Sequence, residues 1–465
     1  MRRLGEVAGL DFERTSARRQ ADDRWQVSGY ASDEALATLS ERGLEVEAVV
    51  ESVELAEQRS AMFAKLDAAR PRGAGRVVAY PATVRAIEAE LARLAADHPD
   101  LCTRTVAPNR SHEGRSVSYV TVRGAEGGRP VLITGGMHAR EWAPPDALLS
   151  LLDRLLRAYE AGADFVIPAF TDTAPARDIV YAEASIPAAD VKAIVERLDL
   201  SVLALTNPDG RAFSQSSAAD AMWRKNRRPA GGAGSGAACT GVDLNRNFDL
   251  AWDFERYYDD DGDIAVSASN DPCDFQVYVG PSAASEPESQ NVASVLRERQ
   301  IEFYVDVHSF SRKILHPWGM DDNQSRDPSQ TFRNPAFDGR RDGGPGGRYG
   351  EFIPQDVLDE HVRIGTAMHD AMVDGAGSDP RARARSEYAV EPGLALYPTT
   401  GTASDFAASL QFGDDPPAER VIVYTLEIGN DADGEGGFQP VPAIYPKIER
   451  EAHLALMAFL REAAR

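Results

Sequence analysis

Four short runs of β-branched and other apolar residues, Val131–Thr134, Ser201–Thr206, Phe303–Val307 and Val421–Leu426, constrain this chain more than any other feature. Each is shorter than an ordinary helix and too continuously apolar for a strand wet on one face. They therefore predict strands of a sheet covered on both sides. Helical spacing lies between them. Val84, Ile87, Leu91 and Leu94 recur at helical intervals, with Pro81 suited to a first turn, and the leucine-rich stretch Pro145–Leu156 predicts a second helix. The expected class is α/β.

Ahead of this pattern, Trp25–Tyr30 reads as a strand, Asp33–Ser40 as a helix, Leu44–Val50 as a strand and Glu54–Arg70 as a charged helix. Pro71, Gly73 and Gly75 then break the periodicity, which places a domain boundary near residue 76. The expected division is a small α+β unit over 1–76 and a large domain over 77–465. Ala161–Ala188 and Asp321–Gly350, rich in residues that break regular structure, are expected as surface insertions.

The chain carries 50 Lys and Arg against 73 Asp and Glu, a net charge of −23 that repels a phosphate backbone and argues against nucleic acid as a partner. No stretch reaches the roughly 18 continuous apolar residues of a membrane span, so no membrane partner is expected. Met1–Gln20 is charged and lacks the apolar centre of a secretory signal. Cys102, Cys239 and Cys273 are too few and too dispersed for a disulfide-dense scaffold, and composition favours the cytoplasm. The acidic run Asp259, Asp260, Asp261 and Asp263 lacks the carboxylate spacing of an EF-hand and reads as a solvated turn.

Each apolar run is followed closely by groups capable of chemistry: His138 and Glu141, Asn207 and Asp209, His308, and Glu427. Sites in open α/β sheets lie at the carboxyl ends of strands. His98, His112, His361, His369 and His453 occupy positions where a lone histidine is most often structural. His138 and Glu141 differ, because they stand in Gly135-Gly-Met-His-Ala-Arg-Glu-Trp142, where a separation of three puts both donors on one side of a turn. Catalytic zinc takes three protein ligands and keeps a position for water, so a second histidine is required. His308 ends an apolar strand and meets that need; His316, between Leu315 and Pro317, is the competitor but suggests packing.

The wider pattern resembles the carboxypeptidase A and B family of zinc carboxypeptidases over most of residues 80–465. In order, the residues that carry the resemblance are Ser111-His-Glu-Gly-Arg115, His138-Ala-Arg-Glu-Trp142, Thr206-Asn-Pro-Asp-Gly210, Trp223-Arg-Lys-Asn-Arg227, Gly241-Val-Asp-Leu-Asn-Arg-Asn247, His308-Ser309, Leu396-Tyr397 and Thr425-Leu-Glu427. The resemblance implies a mixed central sheet with helices on both faces, preceded by a segment loosely like the family's pro-segments. It implies one zinc ion per chain on His138, Glu141 and His308, and Glu427 as general base toward the attacking water. Arg224 takes the place of the group beside the oxyanion. Asn245 and Arg246 resemble the clamp for a terminal carboxylate, where the Arg fork matches a planar anion. Tyr397 resembles the residue that closes over that end of the peptide, and Arg140 one that touches substrate beyond the scissile bond. Asp243 resembles the carboxylate that fixes the His138 tautomer.

The same resemblance pairs Cys239 with Cys273 as a disulfide, which in a loop of about 35 residues contributes about 3–4 kcal/mol in the chain-entropy model. It also implies export, against the cytoplasmic expectation from composition. Counting seven positions from Tyr397, as in the family, places Ser404 at the base of the specificity pocket; small and neutral, it implies apolar or aromatic C-terminal residues over basic ones. Peptide or protein C-termini are the implied partners, with oligomeric state left open. A related zinc hydrolase of acyl-amino acids or of cell-wall or glutamylated peptides is the enzymatic alternative. A binding protein on an inactive scaffold is the other, and it expects one of His138, Glu141, His308, Arg224 or Glu427 to be replaced. All five are present.

Overall fold

The computed structural model describes residues 10–19, 25–31, 33–45, 80–123, 127–173, 178–230, 239–259, 266–344, 346–413, 416, 418, 420–431 and 435–465. Its centre is an eight-stranded mixed sheet. In chain order the strands are β1 (Cys102–Val106), β2 (Ser118–Arg123), β3 (Arg129–Gly135), β4 (Leu198–Leu203), β5 (Phe303–His308), β6 (Lys313–His316), β7 (Ala389–Pro392) and β8 (Ile422–Glu427). Across the sheet the order is β7-β6-β8-β5-β3-β4-β2-β1. The inner four, β4, β3, β5 and β8, run parallel, while β2 and β6 pair antiparallel with their inner neighbours.

Each of the four predicted apolar runs contributes residues to one of those inner strands. The second shifts: β4 starts at Leu198 and stops at Leu203, whereas the sequence pattern continues to Thr206. Its backbone leaves the ladder there because the Thr206 and Asn207 N–H groups donate to Gly135 and Gly136 carbonyls in the neighbouring turn. Helix α1 (Val84–Asp97) begins after Pro81 rather than at it, because the Thr83 side chain accepts the Ala86 N–H and caps it. Ile87, Leu91 and Leu94 are its buried stripe, as their spacing requires.

Helix α2 (Ala143–Ala161), the predicted leucine-rich element, and the last helix, α3 (Tyr445–Ala463), pack together, and α3 also packs on the helix Gln355–Gly375. Nearly every residue of α3 is buried, so it is core on all sides. On β5, Phe303 meets Phe459 of α3, while the alternate residues Asp306 and His308 share the opposite face, as the two-residue period of a strand demands.

The stretch expected as an insertion near 161–188 forms two small antiparallel pairs, Phe165–Ile167 with Ala184–Ile186 and Phe170–Asp172 with Ile179–Tyr181. Phe165, Ile167, Ile179 and Tyr181 are buried, and Asp172 pairs with Arg385, so this segment contributes packing rather than only surface. Near the chain start, Leu10–Arg19 pairs antiparallel with Trp25–Ala31, followed by a helix over Asp33–Glu41. The predicted strand over Leu44–Val50 falls almost wholly outside the described residues, as do the helix over Glu54–Arg70, the boundary near residue 76 and most of the acidic run from Asp259.

Register puts the chemistry together. His308 is paired directly with Glu427 across β5 and β8, and Val307 with Gly135 at the end of β3, three residues before His138. One glycine supports the loop facing this end. Gly401 has φ +59°, its N–H and carbonyl bond to Leu250 and Phe248, and a Cβ there would lie 2.4 Å from the Arg246 carbonyl oxygen. Gly401→Ala is therefore expected to lower the unfolding free energy by about 2 kcal/mol or more. Urea denaturation of the two proteins measures it; an unchanged midpoint would show that the loop yields without strain.

Candidate active site

His138 and Glu141 lie in a tight turn between β3 and α2, closed by the Glu141 N–H donating to the His138 carbonyl. His308 ends β5. Chain folding brings the three together: His138 Nδ1 is 2.6 Å from Glu141 Oε1, His308 Nδ1 is 3.0 Å from Glu141 Oε2, and the two imidazole Nδ1 atoms are 3.1 Å apart. All three residues are buried.

The far side of each ring explains why those nitrogens face one another. His308 Nε2 lies 2.8 Å from Asp306 Oδ2, and His138 Nε2 lies 3.2 Å from Asp243 Oδ1. The Asp306 hydrogen bond holds the His308 ring hydrogen on Nε2. The Asp243 carboxylate favours the hydrogen on His138 Nε2 by its charge, although that contact falls outside hydrogen-bond geometry, and both Nδ1 atoms are then left as lone pairs. Two lone pairs and a carboxylate converging without a cation would repel, so the donor set fits a metal ion, and two imidazoles with a carboxylate suit zinc. Without a cation the same surroundings favour a proton in its place: burial disfavours the His308 imidazolium, but the Asp306 and Glu141 carboxylates outweigh it and hold its pKa well above the ordinary value, so metal binding displaces that proton.

Asp306 is absent from the residues that sequence reasoning singled out. Its signal was available: a carboxylate inside an apolar strand, two positions before a candidate ligand, must share that ligand's face. It is itself anchored, because the Thr134 hydroxyl donates to its other oxygen at 2.7 Å. Asp243, expected only beside His138, also accepts from Arg224 Nε and Nη2 at 3.0 and 2.9 Å. One buried carboxylate thus fixes both a metal ligand and the neighbouring guanidinium. Burial opposes its ionisation, yet Arg224 and His138 keep its pKa well below the usual carboxylate value.

One crevice is lined by His138, Glu141, Arg224 and Glu427, and further along by Arg140, Asn245, Arg246, Tyr397 and Ser404. Burial pushes the Glu427 carboxyl up to about 8, with His308 and Arg224 pulling down and Glu141 adding to the rise. Asn245 and Arg246 belong to a short 3-10 turn in which Asp243 Oδ1 accepts the Asn245 N–H at 3.0 Å, and Asn245 Oδ1 accepts the Ala403 N–H at 2.9 Å. The Arg246 guanidinium is 2% exposed and donates to the neutral carbonyls of Ser267 and Asn245; it has no carboxylate partner among the described residues. Tyr397 lies with its ring 5.9 Å from that guanidinium. Arg140 is buried and stacks 4.0 Å over the Phe438 ring, an aromatic partner the sequence did not point to.

His316 does not join the metal group. Its Nδ1 lies 2.8 Å from the Pro317 carbonyl oxygen, and burial lowers its pKa, as befits a packed neutral imidazole. Cys239 and Cys273 are disulfide-bonded, and Cys102 is free and buried. No helix among the described residues is long and apolar enough to cross a membrane.

A buried metal position, open to a crevice lined also by the Glu427 and Asp405 carboxyl groups and the Arg140, Arg224 and Arg246 guanidinium groups, defines the class: a mononuclear metal centre with ionisable groups beside it. The chain belongs to the zinc carboxypeptidase family, whose model matches residues 87–454. Carboxypeptidase B of Bos taurus is 29% identical over 286 residues, 61% of this chain and 56% of that protein. Carboxypeptidase A1 of Sus scrofa is 28% identical over 285 residues, 60% of this chain and 57% of that protein. The chain thus spans little more than half the length of these relatives. The crystal structure of thrombin activatable fibrinolysis inhibitor superposes with a TM-score of 0.66 at 19% identity, covering 99% of this chain and 94% of that one. Carboxypeptidase A from Helicoverpa armigera gives a TM-score of 0.66 at 22% identity, covering 98% and 91%. These likenesses show the shared fold.

The Asp306 contact makes a direct prediction. Asp306→Asn should weaken zinc binding by about 10-fold or more, the usual effect of losing a carboxylate behind a metal-bound imidazole. Competition against a chromophoric chelator measures this. Equal affinity in both proteins would mean that His308 is oriented without Asp306.

Proposed function

We propose that this chain hydrolyses the C-terminal peptide bond of peptides or proteins, with zinc held by His138, Glu141 and His308. The observation that carries the reading is Arg246: a buried guanidinium bonded only to neutral acceptors, in the same crevice as the metal group. A buried cation with no carboxylate hydrogen-bonded to it among the described residues favours an anionic ligand, and a planar carboxylate fits its fork. With that carboxylate on Arg246 and Asn245, the adjoining peptide carbonyl extends toward His138, Glu141 and Glu427.

Zinc bound there supplies a Lewis acid and lowers the pKa of water at the site. Glu427 then takes the proton as water attacks and passes it to the leaving amine. Arg224, locked on Asp243, supplies fixed positive charge where the carbonyl oxygen becomes an anion. Tyr397 covers the terminal carboxylate, and Arg140 faces the preceding residues of the peptide.

The same reading extends to preference for apolar or aromatic terminal residues. Ser404 Oγ is 2.6 Å from Thr425 Oγ1, Glu391 is paired with Lys313, and both Asp405 oxygens accept the Gly319 N–H, at 3.0 and 3.1 Å. Burial pushes the Asp405 carboxyl up to about 7. Glu391 is thus committed elsewhere, and Asp405, which does line the crevice, is held on the Gly319 N–H with burial favouring its neutral form, so a terminal Lys or Arg would enter without a dedicated charged partner. The division into a small unit over 1–76 and a catalytic domain over 77–465 belongs to this proposal as well. The disulfide supports an oxidising compartment rather than the cytoplasm. Thiol labelling of protein isolated without reductant would oppose this if Cys239 and Cys273 both reacted.

One peptide panel tests the activity. Peptides ending in Phe or Leu should be trimmed with higher kcat/KM than those ending in Arg or Glu, amidated peptides should resist, and chelation should stop release. Glu427→Gln should keep zinc while turnover falls at least ~10²-fold. Cleavage of amidated peptides would indicate an internal peptide bond as the target. Full turnover by Glu427→Gln would remove the base from its role.

A further inference from the structure

We propose a second divalent-cation site, formed by His112, Glu286 and Glu288 outside the crevice. His112 lies in the loop after β1, Glu286 stands just before the helix Pro287–Glu298, and Glu288 is in its first turn. One donor atom from each falls within 4.8 Å of the others. His112 Nε2 is 2.8 Å from Glu286 Oε2, within the range of separations seen among His138, Glu141 and His308. None of the three lines the crevice.

Hydrogen bonding leaves a specific gap. Glu286 and Glu288 are both 0% exposed. Asn226 Nδ2 donates to Oε2 of each, at 2.7 and 3.0 Å, and Glu286 Oε1 receives Arg228 Nη1 and Ser285 Oγ at 2.8 and 2.6 Å. Glu288 Oε1 receives no hydrogen bond from another residue. A buried carboxylate oxygen without a donor is unfavourable, and here two carboxylates face one guanidinium and the His112 imidazole. Asn226 cannot turn to help, because its Oδ1 already accepts the Val242 N–H at 2.8 Å. A dication held by the Glu288 carboxylate and the His112 imidazole supplies the missing charge.

The donor set selects the ion. One imidazole nitrogen with carboxylates suits zinc and its neighbours manganese, cobalt and nickel, whereas calcium prefers oxygen ligands alone. His112 is the partly exposed member, with 21% of its side chain accessible, and gives the ion a way in. An ion here joins the His112 loop, the start of the helix Pro287–Glu298 and, through Asn226 and Arg228, the loop that carries Arg224. Its role is therefore structural.

Zinc stoichiometry on the full chain decides the matter, measured by equilibrium dialysis and elemental analysis. Wild type should hold two ions, His112→Gln one, Glu288→Gln one, His308→Gln one, and the His112→Gln, His308→Gln double variant none. Zinc should also raise the Tm of His308→Gln but not of the double variant. One ion in both wild type and His112→Gln would overturn the site and show that a proton balances the two carboxylates. Two ions in both would place the second ion elsewhere and overturn it equally. The crevice assignment fails separately, through an unchanged count in His308→Gln.

Discussion

Two imidazole lone pairs and a carboxylate are held within about 3 Å of one another at one end of the sheet, and much of the fold serves to keep them there. Left to themselves, three acceptors would separate. Parallel register fixes His308 at the end of β5, beside Glu427 on β8, while the turn after β3 delivers His138 and Glu141 from the other side. Asp306 and Asp243 then hold each ring by its far nitrogen. Repulsion among the near atoms is thereby converted into affinity for a cation.

Asp243 extends that arrangement beyond the metal group. It orients His138, grips Arg224 and caps the turn bearing Asn245 and Arg246, so one side chain links three parts of the crevice. Complete burial strengthens each of these interactions, because no water competes for its oxygens. The crevice is consequently preorganised, with its positive groups placed by bonds to other parts of the protein. Such fixed charge is most effective where charge develops during a reaction.

Much of this was legible in the sequence, for reasons that differ by residue. The inner strands declared themselves because burial on both faces forces continuous apolar composition. His138, Glu141 and His308 followed from the chemistry of zinc together with strand ends. Asp306 was not picked out, since its partner is recognised only when the two-residue period of β5 is set against a ligand. Arg140 showed no sign of its aromatic support, because Phe438 is distant in the chain and meets it only through tertiary packing. The Arg224 link to Asp243 was hidden similarly, by a separation of 19 residues across a loop. Pairing of Cys239 with Cys273 came from resemblance, whereas composition pointed to reduced thiols.

X-ray absorption at the zinc edge of the purified full chain tests the metal centre most directly, using the His112→Gln variant so that a single site is observed. The predicted first shell has two imidazole nitrogens and carboxylate oxygen at about 2.0–2.2 Å, one further water oxygen and no sulfur. Replacing His308 in that variant should abolish the signal. A shell containing sulfur, or an unchanged spectrum without His308, would contradict the centre built on His138, Glu141 and His308.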